Sequence, residues 1–177
     1  MRKGIVSFLM VCLLCGCTSP VPLKKQMFTI ELGQDVYANP ALYVKGGDEK
    51  DTSRMEIVPV SSGIRKKENR FVSGDTDFLV VGEYDFKLVD GSKETQFRIK
   101  IKDTKPPTFN NKLTEITVEA GEMVNWQDQF KASDLSGVSY DISPNVDTNI
   151  KQDTEVKVKI SDRYGNAVVR KIVVHVA

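Results

Sequence analysis

Cysteine and histidine are scarce in this sequence, with three cysteines and one histidine, His175, among 177 residues. No His/Cys pair stands at the spacing of a zinc site, no glycine-rich loop could cradle a phosphate, and no serine or cysteine sits in a nucleophile elbow. An enzyme would have to be built around His175 or around carboxylates alone. His175 lies in the terminal stretch Ile172-Val173-Val174-His175-Val176 with no nucleophile marked beside it, so a strand-surface imidazole is expected and catalysis is not. Charge of one sign is missing as well: 25 Lys+Arg against 24 Asp+Glu leave a formal charge of +1, which argues against a nucleic-acid partner. Long apolar runs are also lacking. The longest, Ile5 to Leu14, is broken only by Ser7 and falls far short of the roughly 20 residues that cross a bilayer as a helix.

That short run does have a context. Met1-Arg2-Lys3 makes a basic start, the apolar stretch follows, and Leu14-Cys15-Gly16-Cys17 closes it, the layout of a secretion signal. The closing tetrad resembles the bacterial lipoprotein lipobox, in which an aliphatic residue stands three before, and a small residue one before, a lipid-accepting cysteine. The resemblance implies cleavage after residue 16 and a thioether-linked diacylglycerol, with palmitate-type acyl chains, on Cys17. Cys15 as acceptor would put Cys12 and Leu14 at those two positions, a poorer match. Two acyl chains, at about 0.8 kcal/mol per buried CH₂, hold where one would exchange. The expected location is the extracytoplasmic face of the cell membrane, anchored without spanning. Thr18 after the cysteine does not favour inner-membrane retention, and the family resemblance below leans toward a Gram-positive envelope. Removing residues 1–16 discards Arg2, Lys3, Cys12 and Cys15, leaving 24 acidic against 23 basic residues and one cysteine. With that thiol alkylated, no internal disulfide can form.

Residues 17–26 contain two prolines and two lysines and are expected to form a lipidated tether in which nothing packs. From Met27 onward apolar residues recur at every second position in short stretches: Phe28 to Leu32, Tyr84 to Leu88, Phe97 to Ile101, Ile116 to Val118 and Val156 to Ile160. This is the period of strands with one face on a core and one in water, and the chain is expected to be all-β. Phe28-Thr29-Ile30-Glu31-Leu32-Gly33 aligns with Ile116-Thr117-Val118-Glu119-Ala120-Gly121, and Tyr84-Asp85-Phe86-Lys87-Leu88-Val89-Asp90 with Val156-Lys157-Val158-Lys159-Ile160-Ser161-Asp162. The same unit thus occurs twice, over 27–103 and 104–177, the first copy carrying a polar inserted loop from Gly46 to Arg70. Pro106-Pro107 should stiffen the joint, and the pair is expected to form a short rod.

The second copy carries Asp103-Thr104-Lys105-Pro106-Pro107, Val118-Glu119-Ala120-Gly121, Ala132-Ser133-Asp134-Leu135-Ser136-Gly137 and Ser161-Asp162-Arg163-Tyr164-Gly165-Asn166. Together these resemble the bacterial immunoglobulin-like domains of surface and secreted proteins, including the pesticidal-crystal-protein-type family, clearly over 103–177 and weakly over 27–102. The resemblance implies two tandem immunoglobulin-like β-sandwiches. Asp162 to Asn166 reads as a hairpin turn, Tyr84 suits a tyrosine corner, and Trp126 with Phe130 is expected to close the second core rather than offer a carbohydrate platform.

Two sets of residues could meet a ligand. Asp103, Asp134 and Asp162 lie near strand ends, where carboxylates can clamp calcium. Aspartates in turns also have a local reason to be there, bonding to backbone two residues on. Arg65, Lys66, Lys67 and Arg70 form the densest basic patch and are the candidate binding loop for anionic wall polymer or headgroups. The function expected is a membrane-anchored, non-catalytic binding or spacer module, with no cofactor beyond the covalent diacylglycerol and with an envelope protein or cell-wall polymer as partner. A calcium-rigidified stalk, or an accessory subunit of an envelope assembly, is the alternative.

Overall fold

The alternating stretches that begin at Phe28, Tyr84, Phe97, Ile116 and Val156 are strands. The computed structural model describes residues 20–109 and 112–177; the signal segment and Cys17 lie outside the described residues. The elements are β1 (Met27–Glu31), β2 (Val36–Tyr37), β3 (Met55–Pro59), β4 (Ile64–Lys67), β5 (Arg70–Ser73), β6 (Gly82–Asp90), β7 (Lys93–Lys102), β8 (Glu115–Val118), α1 (Trp126–Phe130), β9 (Ser139–Ser143), β10 (Asp153–Ser161) and β11 (Ala167–Val176). The architecture is all-β, in two tandem immunoglobulin-like units.

The internal repeat is visible in the strand order. One four-stranded sheet runs β1-β7-β6-β3 and the other β8-β11-β10-β9. In both, the first strand pairs parallel to the last, the last two form an antiparallel hairpin, and the remaining strand pairs antiparallel on the outer edge. Inward-facing residues build two separate cores. Val36, Ile57, Phe71, Leu79, Phe86, Leu88, Ile99 and Ile101 anchor the first, and Ile116, Phe130, Val156, Val158, Ile160, Ile172 and Val174 the second. Tyr84 makes the expected corner: its hydroxyl donates to the Val80 carbonyl at 2.8 Å, four residues upstream.

Two expectations need correction. The segment Gly46 to Arg70 is not simply a loop. It supplies β3, the outer strand of the first sheet, and β4, which pairs with β5 in a second, three-stranded sheet β2-β5-β4 that covers the first core. In the second unit, among the described residues, that covering layer is reduced to α1 and the bridge Thr108↔Ser133. Phe130 is buried at 1% exposure, and Trp126 packs half-buried beside it.

The tether also behaves differently from the expectation that nothing there packs. Val21 is buried in the first core, and its N–H donates to Thr95 Oγ1 at 3.0 Å. Leu23 bridges Val44, Lys24 N–H donates to the Tyr43 carbonyl at 2.7 Å, and Lys45 N–H donates to the Pro22 carbonyl at 2.9 Å. Proline and lysine composition suggested a solvated linker, but Val21 and Leu23 are apolar residues whose burial beside Tyr43 and Val44 outweighs it.

Candidate cation site at the junction of the two units

Each unit contributes to the junction through short-range chemistry. At the end of β1, Glu31 Oε1 accepts the Thr104 N–H and Oε2 accepts the Thr104 hydroxyl, both at 2.8 Å. These two bonds hold the Glu31 carboxyl below its ordinary range, helped by the nearby Lys105 charge, with partial burial opposing. Gly33 follows at a φ of +81°, a left-handed value that favours glycine. A Cβ there would lie 2.5 Å from Leu135 Cδ1, so the absent side chain lets the second unit's turn approach. Pro107 is buried, and Thr108 is tied to Ser133 by paired backbone hydrogen bonds. The linker is thus absorbed into the second unit within five residues of β7.

Against this joint stand the three aspartates. Asp134 opens the turn that ends at Gly137, and its Oδ1 accepts the N–H and the hydroxyl of Ser136, each at 2.8 Å. Asp162 opens the β10–β11 turn and is only 6% exposed. Its Oδ1 accepts the N–H groups of Tyr164 (2.8 Å) and Asn166 (2.9 Å), and its Oδ2 accepts the Asn166 amide at 2.6 Å. Burial works against ionisation of Asp162, but the hydrogen bonds from Asn166, Tyr164 and Gly165 outweigh it and hold its carboxyl below the usual carboxylate value. Both aspartates therefore have the local turn role that the sequence suggests.

Asp103 has no such role. It follows β7 directly; its backbone carbonyl accepts the Asn166 amide at 3.1 Å, while its Oδ2 is buried without a hydrogen-bond partner. One carboxylate oxygen from each of Asp103, Asp134 and Asp162 lies within 4.8 Å of the other two. That spread is about twice a Ca²⁺–oxygen bond, so one ion could touch all three. The donors are all hard oxygens, a set that suits calcium or magnesium and not zinc. An unpaired buried carboxylate oxygen is costly, and a cation at this point would satisfy it. Three carboxylates supply at most six oxygens, and solvent would complete the shell.

Sequence reasoning named these three residues together as a calcium candidate set, and the structure puts them at one place. It missed Glu31, which with Leu32, Asp103, Lys105, Asp134 and Leu135 lines a cleft of about 370 Å³ between the units. In sequence Glu31 reads only as the polar face of β1, and nothing local signals that Thr104 caps it. It also missed Asn166, whose side chain links Asp162 to the linker backbone.

The basic patch is the β4–β5 hairpin, and most of it is engaged. Arg65 donates to the Gly74 carbonyl, Lys67 pairs with Asp77 at 2.6 Å, and Arg70 pairs with Asp35 at 2.8 Å. Lys66, exposed on β4, makes no such pair among the described residues. His175 Nδ1 lies 2.8 Å from Asp153 Oδ1, and its Nε2 lies 3.7 Å from Glu115 Oε2. It is a strand-surface imidazole between two acids, at the opposite end of β11 from the aspartates.

No protein-family model and no curated protein matches the chain. Among solved structures it is similar to human mucin-like protocadherin EC1-2, at 16% identity and a TM-score of 0.33, covering 88% of this chain and 97% of that one. It is also similar to the human desmocollin-1 ectodomain, at 13% identity and a TM-score of 0.30. A third likeness is to protocadherin gamma B2 extracellular cadherin domains 1–5, at 16% identity and a TM-score of 0.32. The chain covers 40% of each of those two and itself aligns over 89% and 90%. The assignment of two tandem immunoglobulin-like units rests on the strand order and the tyrosine corner, not on these likenesses.

Proposed function

We propose that this chain is a non-catalytic spacer at the outer face of a bacterial cell membrane, held by diacylglycerol on Cys17, whose two units are locked together by calcium. The observation that carries the reading is the convergence of Asp103, Asp134 and Asp162 on one point of the joint, with Asp103 Oδ2 buried and unpaired. A cation there would tie the end of β7 in the first unit to two turns of the second. A joint already held by Glu31–Thr104 and by Leu135 against Gly33 would become stiffer still, which suits a molecule that holds something at a set distance from the membrane. The lipobox-like tetrad Leu14-Cys15-Gly16-Cys17 supports the anchor, and the partner would be an envelope protein or cell-wall polymer met by the outer unit. Intramolecular pairing of Arg65, Lys67 and Arg70 favours spacing over wall binding through the basic hairpin.

Calorimetric titration of calcium into the full chain tests the cation. One saturable site is expected, lost in Asp103→Asn; heat indistinguishable between wild type and Asp103→Asn would reject it. The anchor is tested separately: Cys17→Ala should leave the detergent phase that the wild type enters, and unchanged partition would remove the lipid.

A further inference from the structure

The docking of Val21 sets how the molecule stands on its membrane. If Cys17 bears the lipid, Val21, buried in the first core, stands only four positions after the anchor, a reach of at most about 14 Å. Val21 is held at one particular end of that unit. Its N–H bonds Thr95, which is paired with Leu88 three positions from the Gly91–Ser92 turn that joins β6 to β7. From there the chain climbs beside β7: the Arg98 N–H donates to the Gln26 carbonyl, and β1 then pairs parallel with β7 from Met27↔Arg98 to Glu31↔Lys102. Thr95 to Lys102 is seven residues, about 23 Å along the strand. Chain entry and the cation site are thus at opposite ends of the first unit.

We propose that the first unit is seated directly on the lipid headgroup layer by its β6–β7 turn and the adjoining segment 45–54, with the junction and the second unit projecting outward. This rests on lipidation of Cys17. The seated end includes the exposed turn Gly91–Ser92 and the start of β3, where Met55 pairs with Asp90. Its charges nearly balance, with Lys45, Lys50 and Arg54 set against Asp48, Glu49 and Asp51. Tether length therefore fixes the contact, and it does so on neutral and anionic lipid alike. The second unit is carried away from the membrane because β11 leads from the Asp162–Asn166 turn at the joint to Val176, where Ala177 N–H bonds the Val118 carbonyl at the far end.

The test uses the lipid-bearing full chain, extracted from membranes and reconstituted into phosphatidylethanolamine/phosphatidylglycerol vesicles. With its own cysteine alkylated, a single label can be placed through Ser92→Cys at the turn or Glu122→Cys beyond the far end of β8. Energy transfer to a headgroup acceptor should be at least roughly fivefold greater from position 92 than from position 122, given the reach and strand lengths above. Inserting about twelve Gly/Ser residues after Ser19, which adds about 19 Å of mean reach, should lower transfer from position 92 and leave the melting temperature unchanged. Equal transfer from the two positions, or an insertion without effect, in protein that still floats with the vesicles would overturn the seating and leave the anchor standing. Protein that does not float with vesicles at all would overturn the lipid reading and the seating with it.

Discussion

His175 shows how one side chain can give the second unit a pH dependence without any catalysis. The hydrogen bond that the ring donates to Asp153, with the charges of Asp153 and Glu115, raises the imidazole above its ordinary value of 6.5, desolvation opposing. Protonated imidazole is therefore favoured in the folded state, so its contribution is fully present below pH 6.5 and is lost as pH rises through the higher folded value. A ring titration by NMR should give a midpoint above 6.5, and the melting temperature of wild type should fall relative to that of His175→Gln over that interval. A midpoint below 6.5 would contradict the pairing. The aspartates were readable at this scale because turns favour Asp for a local reason, and Asp134 and Asp162 do bond to the backbone two residues on. Their position near strand ends grouped them as a calcium candidate set, but the distances between them were not readable, because these depend on where Asp103 lies after β7. Glu31 was invisible for the same reason: its partner Thr104 is 73 residues away.

Among the elements, period-two alternation was sufficient for the strands that face a core, and β1, β6, β7, β8 and β10 stand where it puts them. It failed for β4. Ile64-Arg65-Lys66-Lys67 has one apolar residue in four, and the strand exists because β5 beside it buries Phe71 and Val72 and because Lys67 finds Asp77. Composition likewise hid the docking of residues 21–24, since two prolines and two lysines between Pro20 and Lys25 look like linker. Val21→Ala should cost about 1–2 kcal/mol of stability, through lost burial and the small cavity left behind. Chemical denaturation would read that loss, and a midpoint equal to that of wild type would show that the segment does not pack.

Across the whole molecule, the joint couples two small cores, neither of which has a disulfide to hold it. Gly33 and Leu135 meet there without any covalent tie. Gly33→Ala should destabilise the chain by about 1–2 kcal/mol through its left-handed φ and by a further amount through the clash with Leu135. In the Leu135→Ala background only the backbone penalty should remain, so thermal melts of the four proteins should show non-additivity. Additive effects would mean that the units do not touch at this point. The tandem organisation was legible in the repeated segments. How the second copy covers its core was not, because a five-residue helix and one bridge leave almost no periodic trace. The central claim is that a cation locks this joint, and the most direct measurement is the thermal unfolding of the full chain in excess calcium and in chelator. At calcium about a hundredfold above its dissociation constant, the folded state gains about 2.7 kcal/mol, so wild type should melt several degrees higher with calcium than with chelator, and the Asp103→Asn, Asp134→Asn, Asp162→Asn triple variant should not respond. Coincident wild-type melts in the two conditions would contradict the account.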